Sequence, residues 1–244
     1  MNTAAAMPTI IRGFSLLSGW MHIPHDRFMG VFYAPTMAYN RRHEVFMEFP
    51  KQNEKLFTSE ADWQLNACID CYTPTLGMHA DYFKDCADAL AHVAAEGKVT
   101  LDKAIIPIVF LYRHFIELSL KDIICTARQL ESEGHDFPQH HRLDDLWTEA
   151  KRLIEKHYGK DSPPELANVQ PYIDEFMTHD PYATAFRYPT DRDGTPSLRG
   201  LKHINLRNLY ETMERLGNMF ECLCTDLSVR LDWVNEQRAQ YSNY

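Results

Sequence analysis

Within nine positions, Arg113, His114, Glu117 and Lys121 combine side chains that bind anions with side chains that move protons. At 100° per residue, Arg113, Glu117 and Lys121 stack on one helix face at i, i+4 and i+8, with His114 beside them. Ile106, Phe110 and Ile124 share that angular sector, so the charges form an island on an apolar stripe. Burying charge is costly unless it is paired, hydrogen-bonded or wetted by a cleft. Two arrangements satisfy this condition. In one, Glu117 bridges Arg113 and Lys121 and the ladder only fixes helix packing. In the other, Arg113 and Lys121 hold an anion, Glu117 orients, and His114 or a nearby histidine transfers protons. His114-x-x-Glu117 has the form of half a metal site on a bundle helix, but no second such pair occurs. Neither a metal nor a cofactor is expected.

His135, His140 and His141 follow in a polar stretch. Beside an Arg/Lys-bearing helix they supply an acid and a base for phosphodiester cleavage, or they are simply solvated loop histidines. Further on, Arg187, Arg192, Arg199, Lys202 and Arg207 face only Asp191 and Asp193 in sequence, a basic segment within a chain of formal net charge −9. That charge argues against coating duplex DNA with a basic surface and is compatible with a local basic pocket. Arg187 and Arg207 join Arg113 and Lys121 as candidate phosphate ligands.

These residues need elements to position them. A 45% hydrophobic, 24% charged chain of this length holds one domain with an extension, or two small ones. Residues 1–58 mix short apolar runs with Pro and Gly, and 28–33 and 45–49 read as short strands or extended segments packed on a helical body over 59–244. Ser59 is positioned to cap a helix over 59–72. Helical periodicity marks 76–95, closed by Gly97, and 100–133, the apolar central helix, closed by Gly134. Further helices are expected over 143–157, with Leu143, Leu146, Trp147, Ala150, Leu153 and Ile154 on one face, and over 164–177. Asp193-Gly194 between Ala185-Phe-Arg-Tyr-Pro and Thr195-Pro-Ser-Leu signals a small β-hairpin near 185–198. Asn205 opens a long last helix over 205–238, whose Leu206, Leu209, Met213, Leu216, Phe220, Leu223 and Leu227 suit a seam against the central helix or across a dimer axis.

The apolar stretch 104–112 is too short to span a bilayer, and 1–20 lacks a basic segment ahead of an apolar core. A cytoplasmic, non-membrane protein is expected, and its six cysteines read as reduced thiols. Cys222 and Cys224 would pack as small apolar residues, and Cys68-x-x-Cys71 lacks the second pair of a zinc site.

Tyr112-Arg-His-Phe-Ile-Glu-Leu-Ser-Leu-Lys, then Gly134-His135, Arg142-Leu-Asp-Asp-Leu-Trp147 and Phe186-Arg-Tyr-Pro189, together resemble the HEPN-like α-helical domains over about residues 100–235. The resemblance implies a mainly α, up-and-down helical bundle, often dimeric through its long helices. Many such proteins are metal-independent ribonucleases of toxin–antitoxin or phage-defence systems; others are RNA- or nucleotide-binding modules without activity. The nuclease members carry Arg, four to six residues, then His near the start of a late helix. Here no histidine follows Arg207 or Arg215, Arg199 and His203 have only three residues between them, and Arg128 and His135, with six between them, span a helix end and a loop. Two expectations follow. One is a metal-independent endoribonuclease with His114 or His135 as acid–base group, Glu117 as orienter and Arg113, Lys121, Arg187 and Arg207 as phosphate clamp. The other is a non-catalytic module that binds a nucleotide or partner protein and forms a homodimer through 205–238.

Overall fold

The computed structural model describes residues 49–69 and 73–241. The chain divides into two compact units, 1–71 and 72–244. In the first unit, residues 49–69 are almost wholly exposed and hold one short 3-10 turn, Trp63–Leu65. The helix expected over 59–72 does not form across the described 59–69. Asn66 instead bonds both ways with the backbone of Glu60, Glu60 N–H to Oδ1 at 3.1 Å and Nδ2 to the carbonyl at 2.7 Å, which closes a loop. The strands expected at 28–33 and 45–49 lie outside the described residues, apart from an exposed Phe49.

The described residues of the second unit form a bundle of five α-helices: α1 (Leu76–Ala95), α2 (Leu101–Leu130), α3 (Leu143–Tyr158), α4 (Gln170–His179) and α5 (Leu206–Tyr241). Its fold is mainly α, as expected. Thr75 caps α1, its hydroxyl accepting the Met78 N–H at 3.1 Å. Ala80, Ala87, Ala91 and Ala94 make a small-residue stripe that brings α1 against α2. α1 ends where Gly97 turns left-handed and the Lys98 N–H reaches back to the Val93 carbonyl, a Schellman closure.

α2 is the hub, packing on α1, α3 and α5. Pro107, whose ring removes one helical donor, lies on its exposed side. The helix closes at Ser132, which takes the left-handed conformation (φ 61°), earlier than the expected stop at Gly134. α3 buries Leu143, Leu146, Trp147, Ala150, Leu153 and Ile154 completely, the face its spacing specifies. The expected helix over 164–177 splits into a 3-10 turn, Pro164–Asn168, and α4.

The β-hairpin expected near 185–198 is not formed. One antiparallel bridge, Thr190 to Pro196, and a turn at Asp191–Thr195 are all that remain, and no strand occurs among the described residues. Pro189 and Pro196 lack the N–H groups a longer ladder requires. Asn205 caps α5 through the Asn208 N–H at 2.9 Å. Met213, Leu216, Phe220, Leu223 and Leu227 are buried within this one chain, with Phe220 6.1 Å from Phe115 of α2, so the seam faces the central helix. Cys222 is exposed rather than packed, and Cys71 lies outside the described residues. No described helix is long and apolar enough to cross a membrane.

Candidate functional site

The helical spacing of α2 brings Arg113, Glu117 and Lys121 into one buried row, with 2%, 2% and 5% of their surfaces exposed. Glu117 takes both cations: Lys121 Nζ donates to Oε1 at 2.9 Å, and Arg113 Nη1 donates to Oε2 at 3.4 Å. The ladder therefore exists, and two irregular segments complete it. The α2–α3 connection, 131–142, brings His141, whose Nδ1 lies 2.7 Å from Glu117 Oε1 and whose carbonyl accepts Arg113 Nη2 at 2.9 Å. The turn after α4 brings Asp180, also buried. Its Oδ2 lies 3.1 Å from Arg113 Nε, and its carbonyl accepts Arg113 Nη2 at 3.3 Å.

Each segment is shaped for this contact. Asp180 Oδ1 accepts the Thr184 and Ala185 N–H groups at 2.7 and 2.8 Å, which folds the turn back over α2. Ala183 reaches the left-handed region there (φ 59°), a conformation costly for a residue with a Cβ and held by these bonds. The start of the connection is pinned by Cys125 Sγ on the His135 carbonyl (3.1 Å) and by Arg128 Nη1 on the Asp136 carbonyl (2.9 Å). Lys121 Nζ lies 5.7 Å from the Phe137 ring centroid.

The charges balance. Arg113 and Lys121 are matched by Glu117 and Asp180, and His141 adds a fifth, titratable group. Burial pushes the Glu117 carboxyl up, but hydrogen bonds from Lys121 and His141 outweigh it and leave the group below its usual value. Burial also draws Arg113 down, against the opposing pull of Asp180 and Glu117. An ionised Glu117 can only accept, so His141 must carry hydrogen on Nδ1. In the neutral ring the lone pair then sits on Nε2, and the side chain is 63% exposed. A buried carboxylate holding an exposed imidazole in one tautomer is an arrangement suited to general acid–base work.

Sequence reasoning named three of these five groups. It counted His141 only as one of three loop histidines and did not name Asp180, since nothing in their local spacing ties them to α2. His114 is not part of the network. Its ring packs edge-on to Phe83 (4.3 Å) and parallel to Phe110 (6.4 Å), and burial lowers its pKa. His135 is exposed at the far end of the connection, and Arg128 binds Glu149. Arg187 is exposed and lies over the Tyr188 ring, and Arg207 is exposed at the start of α5. Neither joins the network. Arg113 and Lys121 do not form an open phosphate clamp, because they are buried against carboxylates. Among the described residues no three His, Cys, Asp or Glu side chains converge as a metal site would need. Comparison of the chain with family models, with curated proteins and with solved structures finds no match.

Proposed function

We propose that this protein is an RNA- or nucleotide-directed, HEPN-like protein in which His141 transfers the proton of metal-independent RNA cleavage. The observation that carries the reading is the 2.7 Å contact between buried Glu117 and exposed His141. Nε2 of His141 takes the proton of a ribose 2′-hydroxyl, and the 2′-oxygen attacks the adjacent phosphorus. The bond to the 5′-oxygen breaks, and that oxygen leaves with a proton from solvent. The products are a 2′,3′-cyclic phosphate and a 5′-hydroxyl. Glu117 stabilises the imidazolium formed, Arg113 positions His141 through its carbonyl, and exposed Arg187 and Arg207 contact the RNA backbone away from the reacting group. The test is a labelled single-stranded RNA incubated with the protein in EDTA. Fragments ending in a cyclic phosphate, absent when the substrate is 2′-deoxy at the cut, support the reading; intact RNA refutes it.

The second reading, a non-catalytic binding module, has its own support. Arg113 and Lys121 are matched internally by Glu117 and Asp180, so the network suffices as a packing device. In that reading a homodimer through α5 uses residues beyond the buried seam, where Val229 is half-exposed. Sedimentation of the full chain with and without RNA separates the two associations.

A further inference from the structure

We infer that a second site, at the opposite end of the α2–α3 connection from His141, binds a nucleobase. A cavity of about 230 Å³ opens there between the end of α2, residues 132–135 and the last turns of α5. Its lining combines two planar amides, Gln129 and Asn235, with the His135 imidazole and the Leu231 side chain. Asn235 Oδ1 accepts from Arg238 Nη1 at 3.4 Å and Gln129 Nε2 donates to Cys125 Sγ at 3.3 Å, which leaves Asn235 Nδ2 as a donor and Gln129 Oε1 as an acceptor for the edge of a base. Leu231 and the imidazole supply surfaces for its faces.

The electrostatics favour a planar aromatic ring at this point. α2 ends here, where the last helix carbonyls carry partial negative charge. Arg238 caps them: Nη2 reaches the Leu130 carbonyl at 3.2 Å and Ser132 Oγ at 2.7 Å, and Nη1 lies 3.5 Å from the Gln129 carbonyl. Arg238 also lines the cavity and keeps its charge, so its guanidinium offers a flat cationic face to a base. Gln129 lies twelve residues beyond Glu117 on the same helix, roughly 18 Å along its axis. One connection, pinned to α2 at both ends, therefore carries His135 at this cavity and His141 at the proton-transfer site. A single strand lying along it would seat one base in the cavity and present a sugar–phosphate to His141.

This site deepens the reading above and rests on it only for the identity of the full ligand. The test titrates the full chain with adenosine and uridine monophosphates, followed by saturation-transfer NMR, and separately with a short single-stranded RNA. Saturation of base protons by the native protein is expected. Asn235→Leu and, independently, Gln129→Met should weaken mononucleotide binding about tenfold, while His141→Ala leaves it unchanged. Unaltered melting temperatures keep a loss from being read as misfolding, and two substitutions on different helices guard against failure of either. Mononucleotide binding without RNA cleavage supports the base site while refuting proton transfer at His141. RNA cleavage with no mononucleotide binding, or binding that both substitutions leave unchanged, overturns the base site.

Discussion

Nδ1 of His141 sits 2.7 Å from Oε1 of Glu117, joining a side chain that is 63% exposed to one that is 2% exposed. That contact crosses from an irregular connection to the centre of the longest-buried helix. It makes one oxygen of Glu117 responsible both for neutralising Lys121 and for orienting the imidazole, so changes at this carboxylate act on stability and chemistry together.

Glu117→Gln keeps the shape and removes the charge, leaving Lys121 without its ion pair and Arg113 with Asp180 as its buried carboxylate partner among the described residues. A loss of about 3–5 kcal/mol is expected, the cost of an uncompensated buried charge. Urea unfolding followed by circular dichroism measures it; a loss below the error of extrapolation would show that water reaches the network.

Replacing the whole row tells a different story. Arg113→Met with Glu117→Leu, Lys121→Met and Asp180→Asn exchanges the paired charges for uncharged volume without stranding Asp180, and such exchanges are often neutral or stabilising. The quadruple variant is expected to melt near the native protein and to lose RNA cleavage. Retained cleavage would show that the network only packs helices and that the proton is transferred elsewhere.

Acid should weaken the fold in two steps with different origins. Glu117 has a depressed folded-state pKa, so its contribution is complete above its unfolded value near 4.5 and is lost as pH falls through the lower folded value. His114 is also depressed, by burial, so its stabilising neutral form is fully favoured above its unfolded value of 6.5 and is lost progressively below it. His114→Leu should therefore flatten the stability profile just below pH 6.5 without touching the slope below 4.5. Unfolding midpoints taken from pH 3 to 8 resolve the two.

Asp180 has two separable duties. Asp180→Asn retains an oxygen for the Thr184 and Ala185 N–H groups and loses the ion pair with Arg113, whereas Asp180→Ala loses both. The alanine variant should be less stable than the asparagine variant by about 1–3 kcal/mol. Equal stabilities would mean that the turn does not depend on the carboxylate oxygen.

The row on α2 was readable because helical geometry turns i, i+4, i+8 spacing into a face, and the apolar residues around it located that face in the core. His141 and Asp180 were not readable, since they reach Glu117 and Arg113 through turns whose course depends on tertiary bonds 24 and 67 residues apart in sequence. The same limit explains the other differences. A capping signal at Ser59 failed because residues 59–69 bury no face, and the Asp193-Gly194 turn formed without strands because prolines flank it. Helix ends were legible where glycine closed them, as at Gly97, and shifted where Ser132 took that role. The resemblance to HEPN-like domains pointed to His135 by its place after Gly134, yet Glu117 is met by His141, six residues on.

The decisive measurement is the single-turnover rate of cleavage of a labelled single-stranded RNA in EDTA by the native protein, His141→Ala and His114→Ala. Loss of about 10²–10⁴-fold in His141→Ala, with His114→Ala unchanged, is the expected result for general acid–base catalysis by the Glu117-held imidazole. Native cleavage that survives in His141→Ala, or no cleavage by the native protein, would contradict it.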